Sequence, residues 1–298
     1  MSDNPEELVR KAQKKLNPGF FGKMFSTKDS LLEEALNYYE SAANGFKIQK
    51  NWQRAGECYE QCAEIEVKLN SNSAMNQYKE AAHCFSFCDQ SRSDKNLDSC
   101  IKFCEKIGRY QQAGKLTQEI AHKKEVDLNY PEAIRKYKEA AEYFKLDSQN
   151  TKSMEQACLL KVADLMCISG DKEMFSEAPK IYENLAMEYL TVNLLKSSAK
   201  DLFFKAVVCY IAKKDEVTAD IKLKQFINED PTFDDTREAK LLENLIKCIS
   251  DPPDPEGYKK EVQNFKTYRD LDKWKLNMLA AGLKKIEMED EENLLSKI

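Results

Sequence analysis

Small alanines recur about every forty residues along this chain. Ala42, Ala81, Ala121, Ala163 and Ala206 are spaced by 39, 40, 42 and 43 positions, and large apolar residues (Phe46, Phe85, Leu116, Leu159, Phe203) lie close to each. A period of this size belongs to stacked helical hairpins, in which one repeat cannot bury its apolar face without a neighbour. Such an array offers an extended surface to partners rather than enclosing a reaction. The spacing therefore predicts an all-α chain: an elongated, TPR-like right-handed solenoid of antiparallel helical hairpins. With only 9 Gly and 8 Pro among 298 residues, few positions break helices.

Helix signals along the chain fit this rhythm. Asn4 is placed to cap a helix that ends near Leu16, before Asn17-Pro18-Gly19. First helices of successive hairpins are expected to start near residues 51, 94, 131, 175 and 216. Pro179 either starts or kinks its helix. Pro231 and Pro252-Pro253-Asp254-Pro255 punctuate the C-terminal part, where helices are expected over Thr236 to Ile249 and Glu256 to Lys285. The organisation expected is residues 1–230 as a helical-hairpin twisted sheet and 231–298 as a C-terminal helical bundle with an acidic tail.

Charge is unevenly placed. The net charge is −5, and −4 of it lies between Glu287 and Ile298, which hold five acids and one base. A nearly neutral body gives no support for nucleic-acid binding. No apolar run approaches the roughly 18 residues of a membrane-spanning helix, and the first 16 residues are polar and mixed in charge. The expected location is cytoplasmic.

Ten cysteines include three pairs four residues apart: Cys58/Cys62, Cys84/Cys88 and Cys100/Cys104. This spacing puts both sulfurs of a pair on one helix face. Small buried residues at helix contacts account for them. The alternative, a metal-binding helical protein, lacks C-x-x-C spacing and has only His83 and His122 to add. No phosphate-binding glycine loop and no nucleophile–base set is present, so neither an enzyme nor a cofactor is expected. Trp52 and Trp274 fall on apolar helical stripes and read as packing residues.

Several segments resemble the soluble NSF attachment proteins of the alpha/beta type. The strongest is Leu194-Leu195-Lys196-Ser197-Ser198-Ala199-Lys200-Asp201-Leu202-Phe203-Phe204-Lys205-Ala206. Others are Lys50-Asn51-Trp52 with Ala55-Gly56, Cys158-Leu159-Leu160-Lys161-Val162-Ala163, and Leu271-Asp272-Lys273-Trp274. The resemblance covers essentially the whole chain. It implies a non-enzymatic adaptor that binds assembled SNARE four-helix bundles of syntaxin- and synaptobrevin-type proteins. It also implies recruitment and stimulation of the NSF hexamer, with several copies acting per bundle and peripheral contact with membranes. A generic peptide-binding TPR-like scaffold or chaperone adaptor is the competing reading.

Three sites follow from the resemblance. Lys50, Arg109, Lys115 and Lys161 match basic SNARE-binding positions, whereas two further basic positions appear as Ser86 and Ala157. Lys79, Arg92 and Lys152 stand near enough in sequence to compensate. Phe20, Phe21, Met24 and Phe25 form an apolar segment matching a membrane-inserting loop. Asp290, Glu291, Glu292 and Leu294 match the acidic NSF-binding end, which here continues through Leu295 to Ile298.

Overall fold

The computed structural model describes residues 4–18, 27–147 and 151–296, with residues 172, 174 and 289–296 described by backbone alone. The described residues fold into α-helices joined by short turns, with no strand among them. Helices α1 (Pro5–Leu16), α2 (Lys28–Ile48), α3 (Trp52–Lys68), α4 (Ala74–Phe85) and α5 (Gln90–Lys106) come first. Next are α6 (Tyr110–Val126), α7 (Tyr130–Leu146), α8 (Lys152–Ile168) and α9 (Lys172–Leu190). A 3-10 turn over Asn193–Leu195 leads into α10 (Lys196–Lys213), followed by α11 (Glu216–Glu229) and a second 3-10 turn, Pro231–Phe233. The chain closes with α12 (Arg237–Ile249), α13 (Pro255–Lys266) and α14 (Lys273–Ser296).

Local chemistry sets these boundaries. Asn4, Thr27, Asn51, Asp89, Thr236 and Asp254 each accept a backbone N–H of the first helical turn through the side chain, satisfying donors that a helix start leaves open. Helix ends share a second device. Lys50, Asn70, Gly108, Leu128 and Lys214 take left-handed φ values of 57°, 52°, 70°, 59° and 58°. The residue after each donates its N–H to a carbonyl five positions back: Asn51 to Phe46, Ser71 to Glu66, Arg109 to Cys104, Asn129 to Lys124 and Asp215 to Tyr210. This is the Schellman closure, usually made by glycine. Only one of the five closures uses it.

The chain forms two compact units. The first comprises residues 1–119 with 142–151, the second residues 120–141 with 152–298. In the first unit α1 to α5 pack each on the next. Ala42, Ala43 and Ala81 are fully buried there, beside Phe46 and Phe85. Gly56 lets α3 approach α4 so closely that an added Cβ would lie 2.7 Å from the Phe85 ring. Polar pairs join every second helix. On one layer Arg54 of α3 bonds Glu6 of α1, and Arg92 of α5 bonds Glu57 and Glu60 of α3. On the other, Lys47 of α2 pairs with Glu80 of α4, and Gln77 of α4 donates to Glu40 of α2. The pairs involving Lys47, Gln77 and Arg92 span 32 to 37 residues of sequence, one structural repeat.

In the second unit α8 to α14 also pack sequentially, and α14 returns against α10 and α8. Ala121, Ala163 and Ala206 are fully buried. Helix α9 runs from Lys172 through a buried Pro179 rather than starting there. The helical stretch expected after Glu256 forms two helices, α13 and α14, parted at residues 267–272. The backbone helix then continues past Lys285 to Ser296, so the acid-rich end is helical.

Of the six cysteines in four-spaced pairs, Cys58, Cys62, Cys84, Cys100 and Cys104 are buried core residues and Cys88 is exposed. Burial pushes the Cys58 thiol up to about 12 and that of Cys84 up to about 11. Both therefore stay protonated at neutral pH.

Candidate partner-binding surface

The four basic positions sit in different local settings. Lys50 closes α2 in the left-handed conformation and is exposed. Arg109 follows Gly108 and starts α6, its carbonyl accepting the Ala113 N–H, with its side chain half-buried. Lys115 is exposed on α6 beside Gly114, whose missing Cβ makes room for the Phe144 ring. Because successive helices alternate in direction, Lys50 and Arg109 lie on opposite turn edges of the first unit. A 17-residue helix such as α3 separates those edges by about 25 Å. The first unit thus presents Lys50, Arg109 and Lys115 along a helix length rather than as one cluster. None of the three makes an ion pair among the described residues.

Lys161, in the second unit, differs. Its ammonium lies 2.7 Å from Glu125, a carboxylate that also accepts from the Tyr137 hydroxyl at 2.7 Å. Burial raises the Glu125 carboxyl, but the hydrogen bonds from Lys161 and Tyr137 outweigh it and hold the carboxyl below its ordinary range. Lys161 is exposed but already paired.

The neighbours expected to compensate for Ser86 and Ala157 divide in the same way. Arg92 is engaged by Glu57 and Glu60, with its guanidinium 4.0 Å from the Phe85 ring centroid. Lys152 pairs with Glu155 and Glu188. Lys79 is exposed and has no ion pair among the described residues. Ser86 is exposed at the end of α4 and turns its hydroxyl onto the His83 carbonyl at 2.8 Å. Ala157 is an exposed residue of α8.

Two features escaped the sequence pattern. Leu194 is 91% exposed in the 3-10 turn before α10, with Val192 exposed beside it. Lys205, inside the strongest family-like segment, is buried. Its ammonium bonds Asp164 at 2.8 Å and stands 4.8 Å from the Trp274 ring centroid and 5.5 Å from that of Tyr182. Tyr182 donates its hydroxyl to the same Asp164 oxygen at 2.6 Å. The Trp274 ring meets Tyr182 edge-on at 5.7 Å, confirming Trp274 as a packing residue. Trp52 is half-buried, with one face stacked on Phe87.

Phe20, Phe21, Met24 and Phe25 lie outside the described residues. The ends that flank them are described: Asn17 caps α1, and Thr27 caps α2. A cleft of about 680 Å³ opens at these ends, lined by Lys15, Lys28 and Lys68 together with Leu16, Leu31 and Leu32. Asp290, Glu291, Glu292 and Leu294 fall on the backbone of α14, with side chains outside the description. No helix among the described residues is long and apolar enough to cross a membrane.

Comparison with known proteins agrees with the resemblance. The model of the family described as "Soluble NSF attachment protein, SNAP" matches residues 3–287. A vesicular-fusion protein SEC17 from Komagataella phaffii is 32% identical over 92% of this chain and 92% of its own length. An alpha-soluble NSF attachment protein from Vitis vinifera is 31% identical over 98% of this chain and 99% of its own. The alpha-soluble NSF attachment protein of Homo sapiens is 32% identical over 96% of each. On this near-complete match the chain belongs to the soluble NSF attachment protein family.

Proposed function

We propose that this chain is a non-enzymatic adaptor of SNARE disassembly. It binds the assembled four-helix bundle, recruits the NSF ATPase and stimulates it, while the energy comes from NSF. The observation that carries this is the family match over almost the full length. Lys50, Arg109 and Lys115, which make no ion pair among the described residues, support it, because an acidic bundle needs cations that are not already neutralised. Exposed ion pairs contribute only about 0–1 kcal/mol each. Binding is therefore distributed over several contacts and several copies, and it weakens as salt rises.

Two further contacts complete the reading. The apolar segment Phe20, Phe21, Met24 and Phe25 enters a membrane, and Lys28 and Lys68 at its root suit an anionic lipid surface. Burying two Phe side chains contributes roughly 3–6 kcal/mol, weak for one copy and sufficient when several act together. Asp290, Glu291, Glu292 and Leu294 dock on basic surfaces of NSF. A generic peptide-binding scaffold needs neither the apolar segment nor the acidic end.

The test is NSF-driven disassembly of a SNARE complex with and without this protein. Disassembly should require it. Lys50→Glu with Lys115→Glu should lose SNARE binding, whereas removal of residues 290–298 should spare binding and abolish stimulation. Phe20→Ser with Phe21→Ser should lower recruitment to liposomes only. Full disassembly without the protein would refute the adaptor role.

A further inference from the structure

The turn edge that carries Lys50 also carries an aromatic surface that the adaptor reading leaves unused. Trp52 opens α3 two residues beyond Lys50, and Phe87 follows the end of α4. Their rings stack with centroids 4.5 Å apart and planes 24° from parallel. His83 meets the Phe87 ring edge-on at 5.2 Å. Trp52 leans on the apolar core of the first unit, but Phe87 is 56% exposed, and Ile48, two residues before Lys50, is 85% exposed. The carboxylates closest in sequence to Phe87 are occupied. Glu80 is held by Lys47, and Asp89 accepts the Arg92 backbone N–H as the cap of α5. What faces outward is a pair of stacked rings, an isoleucine and an ammonium with no ion pair among the described residues.

We propose that Phe87, stacked on Trp52, is an apolar anchor that seats an aliphatic side chain of the bound helical bundle, while Lys50 takes a carboxylate on the same helix. This rests on the adaptor reading and names the chemistry that one end of its surface selects. A second copy of this chain is the wrong occupant by size. An aromatic side chain buries about 150–250 Å², whereas a stable dimer covers about 800 Å² on each partner. The patch is the size of a single hot spot within a larger interface, and aromatic residues are the usual hot spots. The interface around it is the one begun by Lys50. At Ser86, where the family resemblance expects a base, this chain has a neutral residue followed by a ring. Part of the recognition at this edge is thereby shifted from charge to apolar contact, which salt does not screen.

Fluorescence anisotropy with a labelled, assembled SNARE bundle tests this across a salt series, using the full chain and its Phe87→Ala, Phe87→Lys and Lys50→Ala variants. Phe87→Ala should weaken binding about tenfold, the loss typical of a hot-spot truncation. It should do so equally at low and high salt and leave the thermal midpoint unchanged. Lys50→Ala should instead flatten the salt dependence. Phe87→Lys should restore affinity at low salt and lose it at high salt. Wild-type affinity in Phe87→Ala overturns the anchor while leaving the adaptor reading intact. So does a fall in thermal midpoint that matches the loss of binding, or a wild-type dimer that Phe87→Ala dissolves. If the wild-type protein binds no bundle at any salt, the adaptor reading itself falls, and the anchor falls with it.

Discussion

Helices of the first unit meet through alanine, cysteine and glycine, whereas the second unit places a lysine at the equivalent depth. Gly56 brings α3 against the Phe85 ring, and Ala42, Ala81, Cys62 and Cys84 fill the surrounding contacts at zero exposure. In the second unit Lys205, next to the repeat alanine Ala206, is only 8% exposed. It is held by Asp164 and by the rings of Trp274 and Tyr182. Small-residue contacts are satisfied in many registers that keep the apolar stripe inward. A buried ammonium is satisfied only where its carboxylate and rings stand. The second unit therefore carries a charged positional lock joining α8, α9, α10 and α14, and the first unit relies on close approach, on ion pairs at its surface and on the neutral buried Gln77 amide bonded to Glu40.

The contrast can be broken by substitution. Asp164→Ala leaves the Lys205 ammonium buried without its carboxylate and should destabilise the protein by about 3–5 kcal/mol. Asp164→Leu with Lys205→Met should recover most of that loss, because a well-packed apolar pair replaces a buried ion pair at little net cost. Denaturant unfolding of the two variants measures both; equal losses in single and double variants would mean that the pair is not what locks the unit. Gly56→Val in the first unit should cost about 1–3 kcal/mol by overpacking against Phe85, read in the same way. A smaller effect separates the surface ladder from the core. Arg54 hydrogen-bonds Glu6 and holds its carboxyl below the ordinary value of 4.5. At Glu57 burial raises the carboxyl, but the bonds from Arg54, Gln53 and Arg92 overcome it, with the same net direction. Depressed carboxyl values give stability that is complete above about pH 5 and lost as pH falls through the folded-state values. Arg54→Met should therefore be less stable than the wild type at neutral pH, with the difference shrinking as pH falls through those values. A circular dichroism titration checks the sign.

Much of this was legible in the sequence. The alanine rhythm marked buried contacts correctly at every one of its five positions, since small size at helical spacing has few other uses. Helix starts were visible because Asn4 and other capping residues announce them. Helix ends were harder. Lys50, Leu128 and Lys214 make the turn that glycine usually makes, and nothing in those residue types signals a left-handed backbone, whereas Asn70 is of the type that follows glycine in adopting it. Long-range pairing was also hidden. Lys161 reads as a free cation until Glu125, 36 residues away, is brought beside it. Burial of Lys205 contradicts the ordinary behaviour of lysine and depends on three partners from three different helices. Phe87 and Leu194 are apolar residues off the inward stripe, a departure visible in the helical pattern once the register of α4 and α10 is known.

The chain has two tryptophans, and each unit holds one. Both are half-buried: Trp52 stacks on Phe87 in the first unit, and Trp274 lies beside the Lys205 ammonium in the second, its buried indole N–H bonded to no described group. An indole stacked on a ring and an indole beside an ammonium emit at different wavelengths. The protein thus carries its own spectroscopic label in each unit. Replacing either tryptophan by Phe leaves a single emitter, whose spectrum then follows the loss of one unit without interference from the other.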